Sequence, residues 1–288
     1  MQAICIKKTV VNNLTSIPRY IFGILIILFC TQKASAQNEA LDEVNLQLRA
    51  YFSPLAKPSP AKDFLYDMSA HSTDSSWFVA NSSDTKQTET WFKVYEEMYY
   101  AAYDTSVLTR PETIFANANN YYSDTIPIGI MNYSFYGLKP DAMNTDNYFN
   151  FDTVNNILSD KNPRLDWPYT DNNTIFMSAP LINGSNVANP VFVISPSFFF
   201  YDNFNATHFG KDFLLRINFG DGTGWHNYNP QITSYYQPNY SINQVTTPLI
   251  TVQIMQGSTA NIIGSSQSNI LAGPTVAKPP MILLLYRV

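Results

Sequence analysis

A tight turn between two strand-like runs constrains the fold of this chain more than any other sequence feature. The run Ile217–Trp225 has the sequence INFGDGTGW, with Asp221-Gly222 at its centre. Asp-Gly supplies the positive φ angles that a two-residue hairpin needs, and Gly220 and Gly224 let the backbone bend on either side. The Asp221 side chain can accept hydrogen bonds from its own turn amides. The sequence therefore predicts a β-hairpin here.

Other segments of the C-terminal part also have the composition of β-strands. They are short, rich in aromatic or β-branched residues, and separated by Gly, Pro and Asn. The predicted strands are Thr125–Tyr136, Ile175–Met177, Val191–Ile194 with Phe198–Phe200, Phe213–Phe219, Leu249–Met255 and Met281–Tyr286. A series of short strands of this kind is typical of an antiparallel β-sandwich.

The N-terminal part carries two helical patterns. Asn38–Phe52 begins with acidic residues, has apolar residues at helical spacing and is followed by prolines. Glu89–Asp104, with Thr88 as the predicted N-cap, carries an i, i+3, i+4, i+7 stripe that starts at Trp91. We interpret the stripe as a core face, with a ligand platform as the alternative. The chain is therefore expected to be α+β.

The first 36 residues have the organisation of a secretory signal peptide. Three basic residues precede the apolar run Tyr20–Cys30, which is too short to span a bilayer comfortably. Residues 34–36 are Ala-Ser-Ala, a small-x-small cleavage site, so we predict cleavage after Ala36. An uncleaved N-terminal anchor is the alternative. The expected location is the extracellular space or the cell surface.

Cleavage after Ala36 would change both the charge and the thiol content of the chain. Residues 37–288 hold 13 basic and 22 acidic residues, a net charge of −9, and neither Cys5 nor Cys30. No disulfide and no thiolate metal ligand would remain. The acidity argues against nucleic acid and anionic membranes as partners. Aromatic residues make up 15% of the chain and charged residues 14%, which is the opposite of a disordered composition.

The glycine turn resembles the FGDG signature of PKD-type domains, which are Ig-like β-sandwiches of surface and secreted proteins. The clear match is Ile217–Trp225, and a looser match covers about 190–256. Asn218 stands where the signature has an acid, and the histidine-x-tyrosine run comes early, at His226–Tyr228. The resemblance implies a PKD-like sandwich over 174–288. Composition divides the preceding chain into a mixed helical region, 37–136, and an irregular Asn/Asp-rich connection, 137–173.

A wider resemblance rests on the order of several segments. A signal peptide, FLYDM at 64–68, WFKVY at 91–95, the run 175–181 and the glycine turn follow one another. This order is similar to the N-terminal region of large secreted bacterial proteins of unknown function, some of which continue into hydrolase-like or repeat domains. The resemblance implies that the chain is the leading part of such a protein. The apolar ending at Pro279–Val288 fits either a last strand or a truncation.

The familiar catalytic and metal-binding motifs are missing from the sequence. It has no His-Glu-x-x-His, EF-hand, phosphate-binding glycine loop or Gly-x-Ser-x-Gly pattern, and His71, His208 and His226 are far apart. A serine paired with His71 is the catalytic alternative to a polar turn. Asp221 is a candidate Ca²⁺ ligand, with a plain turn role as the simpler interpretation. We expect no catalytic residue, no cofactor and no metal site.

Trp225 and His226, which directly follow the turn, are the candidate ligand-binding residues. Exposed, coplanar tryptophans would favour sugar stacking, whereas burial of every tryptophan would exclude it. The four to inspect are Trp77, Trp91, Trp167 and Trp225. Residues 37–288 hold six Asn-x-Ser/Thr sequons that would be glycan acceptors in a eukaryotic secretory pathway, at Asn81, Asn132, Asn172, Asn183, Asn205 and Asn239.

The sequence thus predicts an exported, non-catalytic module of a bacterial cell surface, with a structural or interaction role. Its expected partners are glycans or cell-surface proteins. One alternative is the non-catalytic head of a larger secreted hydrolase truncated at Val288. The other is a carbohydrate-binding module.

Overall fold

The computed structural model describes sixteen stretches of the chain. They are residues 43–52, 54–55, 64–69, 85–86, 88–121, 124–139, 142, 148–155, 157–161, 168–170, 173–181, 190–201, 213–240, 246–256, 261–270 and 272. The predicted signal peptide and the predicted strand Met281–Tyr286 lie outside them. From Asn45 onward, the described residues belong to one compact unit.

The described helices are few. Helix α1 covers 43–52, α2 covers Thr88–Ala101 and α3 covers Pro111–Asn119. Proline at the first turn of α3 is favourable because its ring fixes φ and its missing N–H has no intrahelical partner there. The predicted Thr88 cap is different in the structure: Thr88 is part of α2, and its Oγ1 donates to the carbonyl oxygen of Pro180 at 2.6 Å.

Most of the described elements are β-strands. Their bounds are β1 Thr85–Lys86, β2 Thr125–Phe135, β3 Phe149–Asp152, β4 Ile157–Asp160, β5 Asn173–Pro180, β6 Val191–Ile194, β7 Phe199–Tyr201, β8 Phe213–Asn218, β9 Trp225–Tyr228, β10 Ser234–Tyr236, β11 Leu249–Gln256 and β12 Asn261–Asn269. The chain is therefore β-rich, with antiparallel and mixed sheets.

The strands form two five-stranded sheets and one hairpin. The first sheet has the order β1-β12-β11-β8-β9, and it is antiparallel apart from the β1–β12 pair. The second has the order β10-β6-β2-β5, with β7 also paired to β2. Strand β2 is antiparallel to β5 but parallel to β6 and β7. The hairpin β3–β4 lies in the stretch 137–173 that the sequence assigned to an irregular connection.

Strand β2 is buried on both of its faces. Its residues Ile126, Ile128 and Ile130 belong to one buried cluster, whereas Met131 and Tyr133 belong to another. The first cluster also includes inward-facing residues of β8 and β11, namely Leu215, Ile217, Ile250, Val252 and Ile254. The second cluster includes the α2 stripe of Trp91, Val94, Tyr95 and Met98, which is a core face. The two faces of β2 thus contribute side chains to two different buried clusters.

Strands β5 and β12, which belong to different sheets, approach each other closely. The Ser266 hydroxyl oxygen accepts a hydrogen bond from the backbone N–H of Ser178 at 2.9 Å, and both residues are buried. A Cβ atom built on Gly264 would lie 2.5 Å from Cγ of Phe176. The small residues of β12 therefore leave room for the aromatic ring of β5.

Candidate functional site

The glycine turn joins β8 to β9, and it is longer than the predicted two-residue hairpin. Asn218 and Trp225 form the last residue pair of the ladder, so residues 219–224 all lie in the connection. Gly220, Gly222 and Gly224 have φ angles of 73°, 84° and 89°. Three left-handed residues widen the turn into a loop, and this is the physical reason that the two-residue prediction is wrong.

The carboxylate of Asp221 is the centre of this loop. Its Oδ1 accepts hydrogen bonds from the hydroxyl of Thr223 at 2.6 Å and from the backbone N–H of Thr223 at 3.2 Å. Its Oδ2 accepts from the hydroxyl of Tyr236 at 2.7 Å and from the backbone N–H of Asn239 at 3.2 Å. We call Asp221, Thr223, Tyr236 and the Asn239 amide the turn clasp.

The clasp changes the acidity of Asp221. Partial burial by itself raises the pKa of this carboxyl group, but the hydrogen bonds from Thr223, Tyr236 and Asn239 outweigh that effect and lower the pKa to about 2. Hydrogen bonds to a carboxylate favour its charged form. Asp221 therefore stays ionised, and all four groups around it act as donors to it.

The histidine candidate His226 joins the same network. Its Nε2 lies 2.8 Å from Oγ1 of Thr223, and its ring is 4.4 Å from the ring of Tyr236. In a catalytic triad the base lies between the nucleophile and the acid. Here the Thr223 hydroxyl lies between Asp221 and His226 and donates its proton to the carboxylate. This order of groups differs from that of a triad. It is the order of a hydrogen-bonded loop, in which His226 supports the hydroxyl of Thr223.

An aromatic stack below the clasp ties it to the core. The fully buried Phe219 ring stacks on Tyr236, with centroids 4.3 Å apart, and on Phe192 of β6 at 5.0 Å. Tyr240 donates to the carbonyl oxygen of Phe219. Burial raises the pKa of Tyr240 above its usual value. The loop is therefore held at its base by rings from the second sheet and its flanking chain.

The second candidate, Trp225, lies away from the clasp. Successive side chains of a strand point to opposite faces, so Trp225 and His226 are not brought together. Trp225 is 42% exposed, and the guanidinium of Arg216 lies 4.5 Å from the centroid of its ring. Trp91, in contrast, is fully buried in α2. Trp77 and Trp167 lie outside the described residues, as do His71 and His208.

Two sequons fall within the described residues. Asn132 is only 6% exposed in the middle of β2, so an oligosaccharide could not be accommodated on it in the folded chain. Asn239 is exposed, beside the clasp. The remaining four sequons, at Asn81, Asn172, Asn183 and Asn205, lie outside the part of the chain that the structure describes.

Conventional ligand sites are not prominent in the described stretches. No group of three or more His, Cys, Asp or Glu side chains in them is placed to hold a metal ion. A cavity of about 240 Å³ between Arg49 and Arg110 is smaller than the usual small-molecule pocket. None of the helices in these stretches has the length and apolarity needed to cross a bilayer.

Sequence reasoning missed one feature that bears on binding. It selected Trp225 for its position after the turn, but not Arg216 and Gln253, whose side chains lie beside it on neighbouring strands. The signal was the alternation of polar residues along Phe213–Phe219 and Leu249–Met255.

Comparison with protein-family models, with curated proteins and with solved structures finds no match to this chain.

Proposed function

We propose that this chain is an exported, non-catalytic module of a bacterial cell surface or extracellular space. In this proposal its β-strands form a PKD-like sandwich, and the module acts by interaction with a partner. Removal of residues 1–36 gives an acidic, thiol-free chain that depends on its core for stability.

The sandwich is supported by the contacts between the two five-stranded sheets. Inward-facing residues of β2 and β6 share one buried cluster with those of β8 and β11. The hydrogen bond between Ser178 and Ser266 joins β5 to β12 within buried surroundings. Two sheets whose inner faces interdigitate in one core are the arrangement expected of a sandwich.

The turn clasp is the observation that carries the non-catalytic part of the proposal. The acid and the hydroxyl of the most distinctive motif are hydrogen-bonded to each other, and the acid also accepts a hydrogen bond from Tyr236 of β10. An acid with a pKa of about 2 is a poor general base at neutral pH, because an effective one has a pKa near the working pH. The motif is therefore best explained as a device that fixes a loop to the second sheet.

Export can be tested by fractionation of the organism that makes the protein. Antibody detection in cytoplasm, envelope and medium would be combined with N-terminal sequencing and intact mass. We expect a form that begins at Gln37 in the envelope or medium. A cytoplasmic form that retains Met1 would contradict the proposal. An exported species much larger than residues 37–288 would instead support the alternative of a head domain on a larger secreted protein.

A further inference from the structure

The outward face of the first sheet is unusually rich in neutral polar side chains. From Leu215 to Asn218 of β8 and from Ile250 to Ile254 of β11, inward apolar residues alternate with outward polar ones. Six outward residues lie together on three neighbouring strands, namely Trp225 and Asn227 of β9, Arg216 and Asn218 of β8, and Thr251 and Gln253 of β11. By the same alternation, the apolar residues Leu249, Leu214 and Met255 border this set. We call these six residues the amide face. Its only charged member is Arg216.

The register aligns these side chains in two rows across the strands. Asn227 lies opposite Arg216, which lies opposite Gln253. Trp225 lies opposite Asn218, which lies opposite Thr251. Neighbouring strands are about 4.8 Å apart, and residues i and i+2 are about 6.6 Å apart along a strand. The rows therefore present hydrogen-bonding groups at a regular spacing, with Trp225 and Asn227 exposed and the other four residues half-buried.

Contacts within the amide face hold its aromatic ring in place. The Arg216 guanidinium contacts one face of the Trp225 indole, and its Nε donates to Oε1 of Gln253 at 2.6 Å. The Nε2 of Gln253 in turn lies 3.3 Å from Oγ of Ser265 on β12. The cation lies over the indole ring, and 42% of Trp225 remains exposed. A side chain fixed in this way loses less entropy when it binds a ligand.

We propose that the amide face binds a neutral polysaccharide, and this inference rests on the proposed function of an extracellular interaction module. A sugar ring offers a flat C–H face, which packs on an indole, and hydroxyl groups that both donate and accept hydrogen bonds. The amides of Asn218, Asn227 and Gln253 also both donate and accept, and each amide oxygen has two lone pairs and each amide nitrogen two protons. The Oδ1 of Asn218 already accepts from the backbone N–H of Gly220 at 2.9 Å, so a ligand would use its second lone pair or its Nδ2. An extended polymer suits an open sheet face, whereas a small molecule requires a concave pocket.

Charge distinguishes a neutral polymer from the other ligands of such a surface. An anionic polysaccharide would need several cations, but the amide face offers one arginine on a chain whose residues 37–288 carry a net charge of −9. A protein partner would need a buried apolar centre. The centre of this face is instead formed by Arg216, Asn218, Thr251 and Gln253.

Native affinity electrophoresis tests this inference with defined polymers. Residues 37–288 would be run in gels that contain hydroxyethylcellulose, xyloglucan, arabinoxylan, galactomannan or glycogen, and in gels with alginate or polygalacturonate. We expect retardation by at least one neutral polymer and by neither anionic one. Trp225→Ala should weaken the apparent affinity about tenfold or more, as truncation of a central aromatic anchor does. Gln253→Ala should weaken it less.

The matched control is Tyr235→Ala. Tyr235 is 64% exposed, but it lies on β10 of the second sheet, so its loss should leave retardation unchanged. Thermal melting would show that each variant is folded, and Asn227→Ala replaces Trp225→Ala if the latter melts early. The proposal is overturned if no neutral polymer retards the wild type, if only anionic ones do, or if the amide-face variants match the control. Export is measured separately, so either proposal can fail alone.

Discussion

The hydroxyl of Tyr236 donates a hydrogen bond to Oδ2 of Asp221 at 2.7 Å, and this bond joins the glycine turn of one sheet to β10 of the other. The ring of Tyr236 stacks on Phe219 at the base of the same loop. One side chain thus supports the clasp by a polar contact at its tip and an apolar contact along its ring. The two contributions can be separated by mutation.

Tyr236→Phe removes the polar contact and keeps the stack. Because it deprives a carboxylate of one donor, we expect the free energy of unfolding to fall by about 1–2 kcal/mol. Urea denaturation would measure the change. Tyr235→Phe, on the exposed side of the same strand, should change stability by less than about 0.5 kcal/mol. Equal effects of the two substitutions would show that the Asp221 bond contributes nothing.

Protonation of Asp221 should weaken the clasp in acid. Its ordinary pKa of 3.8 is lowered to about 2 in the folded chain, so its contribution is complete above about pH 4 and is lost as the pH falls through about 2. The loop is partly exposed, and after allowance for solvent screening we expect a contribution of about 1 kcal/mol. The stability difference between wild type and Asp221→Asn should shrink between pH 4 and pH 2. A constant difference across this range would contradict the assignment.

Two glycines of the turn provide a matched pair of substitutions. Gly222 has a φ of 84°, and a Cβ atom placed on it would have nothing within 4 Å, so Gly222→Ala should cost only the left-handed conformation, about 1–2 kcal/mol. Gly220 has a φ of 73°, and a Cβ there would lie 2.7 Å from the backbone oxygen of Leu249. Gly220→Ala should therefore be more destabilising, by about a further 1–3 kcal/mol. Equal melting temperatures of the Gly220→Ala and Gly222→Ala variants would show that the backbone of Leu249 moves away from the added methyl group without loss of stability.

Gly264 does not have a left-handed φ angle. A glycine is required at this position because a Cβ atom would collide with the ring of Phe176. Gly264→Ala places a methyl group against the ring of Phe176, and we expect a loss of about 1–3 kcal/mol. Phe176→Leu should itself be destabilising, but the double variant should be more stable than the sum of the two losses predicts. A double-mutant cycle measures this coupling. Strict additivity would mean that the two residues do not contact each other.

The strands with alternating apolar residues could be predicted from the sequence. Strand β8 buries Leu215 and Ile217, and β11 buries Ile250, Val252 and Ile254, as period-two patterns indicate. Strand β12 could not be found in this way. Its inward residues are Gly264, Ser266 and Ser268, which are small or polar because β5 lies close by. Its packing is decided by the facing strand, which sequence periodicity does not reveal.

The candidate site was predicted only in part. The turn, Asp221 and Trp225 were selected from local sequence. Tyr236, Asn239 and Gln253 come from segments further along the chain. Only the folded structure brings Tyr236 and Asn239 to the loop and Gln253 to Arg216 beside Trp225. Helix α3 was missed because its nine residues offer a short pattern, although Pro111 and Glu112 are suitable for a first turn.

The pairing of β1 with β12 has a consequence for the order of folding. Thr85 pairs with Gln267, so the first sheet joins residues that are 182 positions apart in the sequence. Strand β2 likewise pairs with β5, β6 and β7, which all follow it in the chain, so its hydrogen bonds can be completed only after these strands have been made. Such high contact order slows folding, because loop closure costs entropy before the contacts can form. The first sheet can be completed only after β12 has left the ribosome, so a nascent chain exposes unpaired strand edges until that point.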